Sequence, residues 1–447
     1  MRVLMFGWEF PPHISGGLGT ACHGMTQALA RQGVDIVFLV PSLKGDGKGM
    51  DAHLSLRSAS GTKVRRSTAR TIETLNEELW QRRIQVQHVD SLLFAYATQQ
   101  SYALREQAVR EMRQHTQRCT VPHEEEQTLT LRGDYGADLL QEVQCYGQAG
   151  AALALQEQAG RGFDVIHAHD WMTYPAGMLA KKLTGKPLVV HVHATEYDRS
   201  GENINPDVAA IERAGMLAAD VVMVVSHLTR SLVVQRYNVP PEKVVVVHNA
   251  VSRHDARQRY DVPPLCHKEK RVLFMGRVTF QKGPEYFVEA AAEVLRRMPN
   301  VRFIMAGSGD MLPRMVRRAG QLRIGNRLHF PGFMRGAEVD RMYAMSDLYV
   351  MPSVSEPFGI APLEAVLYDV PVMLSYQSGV AEVLHNALKV NFWDTHEMAS
   401  KICAVLSYPK LAAAMVKNCR EELKTITWDK AAAHIRAAYA RVCHAGG

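Results

Sequence analysis

The sequence predicts an α/β protein built from two domains, each a doubly wound and mostly parallel sheet. The chain has 447 residues, which is enough for two or three domains at roughly 150 residues each. Apolar segments of strand length alternate with segments of helix length along most of it. In addition, Arg-Val-Leu-Phe-Met-Gly at 271–276 nearly repeats Arg-Val-Leu-Met-Phe-Gly at 2–7, so a second β/α series is expected to begin there.

The first domain is expected to span 1–255. It opens with a strand at 2–6, a glycine-rich loop, a helix at 20–32 and a strand at 35–40. Its further strands are expected at 165–167, 188–193, 221–225 and 244–247. A polar segment at about 44–150 interrupts this order and is interpreted as an insertion, with a strand pair expected at 84–89 and 129–131.

The second domain is expected to span 265–425, after a polar link that contains Pro263 and Pro264. A helix is expected at 284–297. Its further strands are expected at 301–306, 327–330, 348–351 and 371–374. The last segment, 426–447, carries an apolar stripe at helical spacing and is expected to cross back to the first domain.

Composition excludes several classes of protein. With 47% hydrophobic and 22% charged residues, the chain is neither disordered nor fibrous. A net charge of +7 is too mild to indicate a nucleic-acid partner. Residues 44–118 carry thirteen Lys and Arg against eight Asp and Glu, so peripheral contact with an anionic membrane surface is a hypothesis for this region. The alternative is a solvated helical surface.

The cysteines and the apolar segments predict the compartment. Seven cysteines are scattered without a C-x-x-C pair, which is typical of a reducing cytoplasm. Neither a signal peptide nor an apolar run of about 20 residues is visible. We therefore expect a cytoplasmic protein, with any membrane contact at the inner face.

Two motifs of the first domain follow strands. Gly16 and Gly17 lie in the loop before the first helix, where glycines and helical amides suit an anion. His167 and His169 end another strand, but no third ligand is apparent at a suitable spacing. We therefore expect no metal there, and we interpret His169 as a hydrogen-bonding residue of a pocket.

Two motifs of the second domain carry charge. Arg277 and Lys282 follow the strand at 271–276, where two cations can grip a diphosphate. Glu356 and Glu364 are two carboxylates that can accept hydrogen bonds from sugar hydroxyls. The substrate-binding residues expected between them are Phe358, Gly359 and Ile360.

Together these motifs resemble the retaining glycosyltransferases of family 4 and the related glycogen and starch synthases, which share the GT-B fold of two Rossmann-like domains facing across a cleft. The resemblance covers nearly the whole chain apart from 50–150. Glycogen synthases place a lysine two residues before the paired glycines, where this chain has Ile14. The chain therefore resembles the wider family more than those enzymes.

The resemblance implies a role for each motif. Gly17 would lie beside the donor diphosphate, which Arg277 and Lys282 would grip from the second domain. Glu356 would contact the donor sugar, Glu364 would hold the nucleotide ribose, and His169 would lie near the sugar. The expected donor is a nucleotide diphosphate sugar, UDP- or ADP-glucose, with no cofactor. The acceptor would be a saccharide or a glucan.

Three alternatives remain open at this point. The acceptor could be lipid-linked or part of the cell envelope, which would suit the basic insertion. A nucleotide-sugar epimerase would explain two such domains, but not the pairs Arg277 with Lys282 and Glu356 with Glu364. An inactive nucleotide-sugar-binding protein would be expected to show degraded motifs, and none is visible.

Overall fold

The computed structural model describes residues 1–11, 17–43, 53–82, 126–129, 131, 139–251 and 269–444. It confirms the expected fold class, because two parallel sheets are each flanked by helices. The link expected between the domains falls largely outside these residues, as do Gly16 and more than half of the basic segment at 44–118.

The first sheet has seven parallel strands in the order β3-β2-β1-β6-β7-β8-β9. These strands are β1 (Arg2–Phe6), β2 (Asp35–Val40), β3 (Ser55–Ser58), β6 (Val165–His169), β7 (Leu188–Val192), β8 (Val221–Val224) and β9 (Val244–Val246). Most are continuous apolar runs, as expected for strands covered on both faces. Strands β4 (Thr62–Arg65) and β5 (Glu126–Leu129) form a separate antiparallel pair.

Seven helices belong to this half of the described chain. They are α1 (Gly17–Arg31), α2 (Arg66–Arg82), α3 (Leu139–Ala159), α4 (Tyr174–Thr184), α5 (Glu196–Ser200), α6 (Pro206–Ala218) and α7 (His227–Tyr237). Several begin at caps that the sequence carries. Thr195 forms a capping box with Asp198 at the start of α5, and the side chain of Ser226 accepts a hydrogen bond from the Thr229 amide at the start of α7.

The second sheet has six parallel strands in the order β12-β11-β10-β13-β14-β15. These are β10 (Lys270–Met275), β11 (Val301–Ala306), β12 (Leu328–Gly332), β13 (Leu348–Met351), β14 (Val372–Ser375) and β15 (Leu388–Val390). The helices that follow β9 are α8 (Pro284–Arg297), α9 (Leu312–Gln321), α10 (Ala337–Ala344), α11 (Ala361–Leu367), α12 (Thr395–Ser407), α13 (Pro409–Leu423) and α14 (Trp428–His444).

The structure corrects part of the sequence-based interpretation. Strand β5 ends at Leu129 and pairs with β4, rather than with 84–89, which lies outside the described residues. The sequence analysis also missed β3, β4 and β15, whose three or four residues show too little periodicity. The other expected strands are present, with ends displaced by at most two residues.

The last helix, α14, packs on α1 of the first half. An added Cβ on Gly24 would overlap the indole ring of Trp428, so glycine allows this close approach. Arg31 forms an ion pair of 2.8 Å with Asp429, and the hydroxyl of Tyr439 lies 2.6 Å from Nδ1 of His167. The chain therefore returns from the second sheet to the first.

No single helix among the described residues is long and apolar enough to cross a membrane. Helix α12 and the segment Pro409–His444 pass that test only when taken together, and the pair is bent by 99°.

Candidate active site

Each sheet has a crevice where the strand order reverses direction. In the first sheet the reversal lies between β1 and β6, and in the second it lies between β10 and β13. Ligands of open α/β sheets bind outside the carboxyl ends of the strands at such a point. The four sequence motifs come after β1, β6, β10 and β13, so the topology places one pair at each crevice.

Lys282 and Glu356 meet at the crevice of the second sheet. Lys282 lies in a short 3₁₀ helix after β10, and Nζ donates a hydrogen bond to Oε2 of Glu356 in the loop after β13. Ser353 donates a second hydrogen bond to the same oxygen at 3.2 Å. The Lys282 side chain is 21% exposed and that of Glu356 only 8%, so the ammonium is the more accessible partner.

Arg277 shares a loop with Lys282. Its Nη2 donates to the side-chain oxygen of Gln281 at 3.2 Å, and the carbonyl of Gln281 accepts from the amide of Val354 at 2.9 Å. These contacts join the loop after β10 to the loop after β13. The two predicted cations and Glu356 therefore lie on one connected pair of loops.

Glu364 and the residues before it follow the same strand, β13. Glu364 lies in the first turn of α11 and accepts a hydrogen bond of 3.1 Å from the hydroxyl of Tyr343. It lines a cleft bounded by α1, α10, α11 and the start of α14. Phe358 is buried, whereas Gly359 and Ile360 are partly exposed. Gly359 has a φ of 96°, a conformation that favours glycine.

The first turn of α1 already holds a carboxylate. Gly17 is exposed at the start of the helix, but the amide of Gly19 donates a hydrogen bond of 3.1 Å to Oε1 of Glu9. Glu9 is itself buried. Sequence reasoning missed this residue, although its place between the first strand and the glycine-rich loop could have indicated it.

His169 lies at the end of β6 with a fully buried side chain. Its Nδ1 is 3.1 Å from Nε2 of His193, which follows the neighbouring strand. Asp170 has a φ of 58°, and its carboxylate accepts a hydrogen bond of 2.7 Å from the amide of His193. The structure therefore does not bring the imidazole of His169 onto the surface of the cleft. No third ligand for His167 and His169 was apparent from spacing along the chain, but the ring of His191 stacks on His167 from strand β7.

The two halves contact each other near these loops. The hydroxyl of Ser355 donates a hydrogen bond of 2.5 Å to Asp198 of the first half. Glu382 of the second half accepts hydrogen bonds from the amides of His227 and Leu228 at the start of α7, and its Oε2 lies 2.9 Å from Nε2 of His248. Asp198 was not identified from the sequence, because its partner is 157 residues away.

Two carboxylates of this region have pKa shifts of opposite direction. Partial burial alone would raise the pKa of Glu382, but the hydrogen bonds from His248 and the two α7 amides outweigh it and lower the pKa. Burial raises the pKa of Glu212 to about 7, although Arg199 and Tyr237 both contact its carboxylate. Glu212 also accepts a hydrogen bond from the amide of Glu196 and so supports the segment that carries Asp198.

Comparison with known proteins identifies the two halves. Residues 143–254 match the family described as Glycosyltransferase Family 4, and residues 258–422 match the family described as Glycosyl transferases group 1. An uncharacterized glycosyltransferase of Methanocaldococcus jannaschii is 27% identical over 97% of this chain and 96% of its own length. A glycogen synthase of Mycobacterium tuberculosis is 24% identical over 95% of this chain and 90% of its own length.

The fold agrees with these matches. The structure of Anabaena HepE in complex with UDP and glucose aligns with a TM-score of 0.63 at 16% identity, covering 99% of this chain and 100% of that one. The two sheets, the two family matches and the relatives that span the chain agree with one another. The protein is a family-4-like glycosyltransferase with the GT-B fold.

Proposed function

We propose that this glycosyltransferase moves a hexose, with glucose favoured, from a nucleotide diphosphate sugar to a saccharide or glucan acceptor, with retention at the anomeric carbon. The observation that carries the proposal is the contact of Lys282 with Glu356 beside Arg277, at the crevice of the second sheet. In a nucleotide diphosphate sugar the phosphate and the sugar are directly linked. A cation can bind the phosphate while a carboxylate in contact with that cation accepts hydrogen bonds from the sugar.

The two cations would act on the leaving group. A guanidinium can bind phosphate oxygens in a bidentate manner, and an ammonium acts as a compact charge. As the bond between the anomeric carbon and the diphosphate oxygen breaks, negative charge grows on that oxygen. Because Arg277 and Lys282 are already held in place, they would stabilise this charge without reorganisation. Such electrostatic stabilisation is usually the largest single contribution to catalysis.

The acceptor completes the step. Its hydroxyl oxygen bonds to the anomeric carbon on the face that the diphosphate leaves, and its proton passes to the departing phosphate oxygen. Glu356 would accept hydrogen bonds from sugar hydroxyls, and Glu364 would accept those of the nucleotide ribose, so both act by positioning. In this proposal His169 supports the wall of the cleft from behind, since its side chain is buried.

The relatives support the choice of donor and acceptor. HepE binds UDP and glucose in its own structure, and the Mycobacterium relative is a glycogen synthase. UDP-glucose and ADP-glucose are therefore the first donors to test, with a glucan and small saccharides as acceptors. A lipid-linked acceptor remains the alternative that the basic segment 44–118 suggests.

The test is release of nucleoside diphosphate from a panel of nucleotide sugars, with and without each acceptor. We expect release that depends on the acceptor, persists after brief treatment with EDTA, and gives a product with the anomeric configuration of the donor. Interconversion of sugars with no release would indicate an epimerase. Tight donor binding with neither reaction would indicate an inactive binding protein.

A further inference from the structure

Exposed aromatic side chains are concentrated at one edge of the second sheet. Among the described residues, five Phe, Tyr and Trp side chains are between 42% and 65% exposed. Four of them follow strands of the second sheet at its carboxyl edge: Phe280 after β10, Phe333 after β12, Tyr376 after β14 and Trp393 after β15. An aromatic ring left in water forgoes the free energy of burial, so such a concentration indicates a binding surface.

Two of these four rings contact other groups of the chain. The guanidinium carbon of Arg335 lies 5.1 Å from the ring centroid of Phe333. The ring of Phe280 lies against the first half, where an added Cβ on Gly201 would be 3.3 Å from it. The other two, Tyr376 and Trp393, lie on the loops after two neighbouring strands and therefore share one end of the sheet.

Trp393 is held in place by the turn that carries it. The amide of Asp394 donates a hydrogen bond of 3.0 Å to the carbonyl of Asn391, and the amide of Thr395 donates one of 3.0 Å to the carbonyl of Trp393. The indole also packs against the ring of Phe392, with the ring centroids 4.8 Å apart and the planes at 87°. A side chain fixed in this way loses little conformational freedom when a ligand covers it, which favours binding.

Tyr376 is joined to the loop that carries Glu356. Its amide donates a hydrogen bond of 3.0 Å to the carbonyl of Val390, at the end of β15. The carbonyl of the next residue, Gln377, accepts a hydrogen bond of 2.8 Å from the amide of Glu356. Tyr376 therefore lies between the loop of Trp393 and the carboxylate that is proposed to contact the donor sugar.

The surroundings of Trp393 favour a neutral saccharide over an anionic membrane. Residues 391–397 include Asp394 and Glu397 but no Lys or Arg. Anionic lipid surfaces attract Lys and Arg, so this loop lacks the charge that such a surface would require. One face of a sugar ring presents C–H groups that pack on an aromatic ring, while its hydroxyls bind amide groups. The side chains of Gln377 and Asn391 offer amides beside the two rings and are partly exposed.

We propose that Tyr376 and Trp393 form a surface that binds the sugar rings of a glucan acceptor, away from the reacting end of the glucan. This inference rests on the proposed function, and it selects a glucan over a small saccharide as the acceptor. The end of β15 lies two strand spacings, roughly 10 Å, from the end of β13. Only a ligand of several sugar units therefore reaches from Glu356 to Trp393. The surface would retain the glucan between successive transfers.

Native electrophoresis in gels that contain glycogen tests this binding without any requirement for sugar transfer. The migration of the full-length parent chain should be slower than in a gel without polysaccharide. The double variant with Tyr376→Ala and Trp393→Ala should bind glycogen about tenfold more weakly. Trp393→Tyr should keep most of the retardation, because an aromatic ring remains. No retardation of the parent, or equal retardation of the parent and the double variant, would overturn the proposal.

Tyr408 provides the matched control. Its side chain is 65% exposed, compared with 56% for Trp393. It follows the other end of α12, a helix of 13 residues and about 20 Å in length. Tyr408→Ala should therefore be retarded like the parent chain. A loss of binding equal to that of the double variant would show that any exposed ring causes the retardation, and would overturn the proposed surface.

Kinetics with acceptors of different length separates this surface from the proposed function. The loss of kcat/KM in the double variant should be largest for glycogen and smallest for a disaccharide, since only the longer acceptor reaches Trp393. An equal loss for both acceptors would overturn the surface while leaving the proposed function in place. If the chain transfers no sugar, the gels still measure glycogen binding, so the two failures are distinguishable.

Vesicles test the membrane as the other partner for exposed rings. The parent chain should not sediment with phosphatidylglycerol vesicles through this loop, because the loop carries acidic rather than basic residues. Sedimentation that is present in the parent and lost in Trp393→Ala would identify a membrane contact and overturn the saccharide surface.

Discussion

The crevices of the two sheets differ in the backbone path that leaves their strands. In the first sheet, β6 ends in His169, and the chain turns directly into a 3₁₀ helix at Trp171–Thr173, so the strand-end side chains are buried. In the second sheet, β10 is followed by Gly276 and a longer loop before the 3₁₀ helix at Phe280–Lys282, which ends at Gly283 with a φ of 62°. This longer path leaves Lys282 partly exposed. Equivalent places in the two sheets thus differ: the side chains after β6 are buried in the core, whereas the segment after β10 presents a partly exposed cation.

The contrast shows that strand-end position alone does not identify a ligand-binding residue. The path between the strand and the next helical turn decides whether a side chain reaches the cleft, because a residue farther along that path lies farther from the buried end of the strand. Changes in the second half should therefore affect turnover first, and changes in the first half should affect stability first.

The largest expected effect is that of Lys282→Ala. It should lower kcat about a hundredfold, which corresponds to roughly 3 kcal/mol of activation free energy, and should raise the KM for the donor much less. The charge that Lys282 meets grows toward the transition state, so the loss falls mainly on kcat. Steady-state kinetics on the most active donor measures it. Lys270→Ala is the control, because its ion pair with Asp347 lies on an exposed surface. Near-normal kcat in Lys282→Ala would contradict the proposed role.

Glu212 of the first half provides a test of stability rather than of turnover. Because folding raises its pKa from 4.5 to about 7, the neutral carboxyl stabilises the fold. That stability is fully present below about pH 4.5 and is lost as pH rises through about 7, by on the order of 3 kcal/mol. Glu212→Gln, which cannot ionise, should not show this loss. Denaturant unfolding of both proteins from pH 4.5 to 8 measures the difference, and parallel pH profiles would contradict the shift.

Alanine substitutions at two helical glycines, one in each half, test how closely the helices that carry them are packed. Gly24→Ala in α1 would press on Trp428 and should lower the free energy of unfolding by about 1–3 kcal/mol. Gly320→Ala in α9 has nothing within 4 Å of the new Cβ and should raise stability by about 0.5–1 kcal/mol. Chemical denaturation of both variants measures the contrast. Equal effects would show that α14 does not pack on α1 as described.

The smallest expected effect concerns the contact between the halves. Glu382→Gln removes the charge at the start of α7 and should weaken the contact by about 1 kcal/mol. Small-angle scattering should then show a slightly larger radius of gyration. In the parent chain the same expansion should appear at acid pH, since a carboxylate with a lowered pKa loses its stabilising contribution as pH falls through that pKa. An identical radius in both proteins at every pH would contradict this role.

The sequence predicted both sheets because long apolar runs, such as those of β1 and β11, specify buried parallel strands on their own. It also placed Arg277, Lys282 and Glu356 correctly in loops after strands. It could not show that Lys282 pairs with Glu356, because 74 residues separate them.

The contacts among His167, His169 and His191 could not be predicted from the sequence either. His191 stands beside His169 only because β6 and β7 are neighbours in register. The sequence shows the spacing of histidines along one strand, but contacts between histidines of adjacent strands depend on the register of those strands. Glu9 was missed for a related reason, since its hydrogen bond to Gly19 depends on the turn between them.

The return of α14 also has a mechanical consequence. The chain passes from the first half to the second between residues 251 and 269, and it passes back between α13 and α14. The side chains of Trp428, Ala432 and Tyr439 belong to one buried cluster with those of β1 and α1. Pulling the second half away would therefore also pull α14 out of the core of the first half, so we expect the two halves to unfold together.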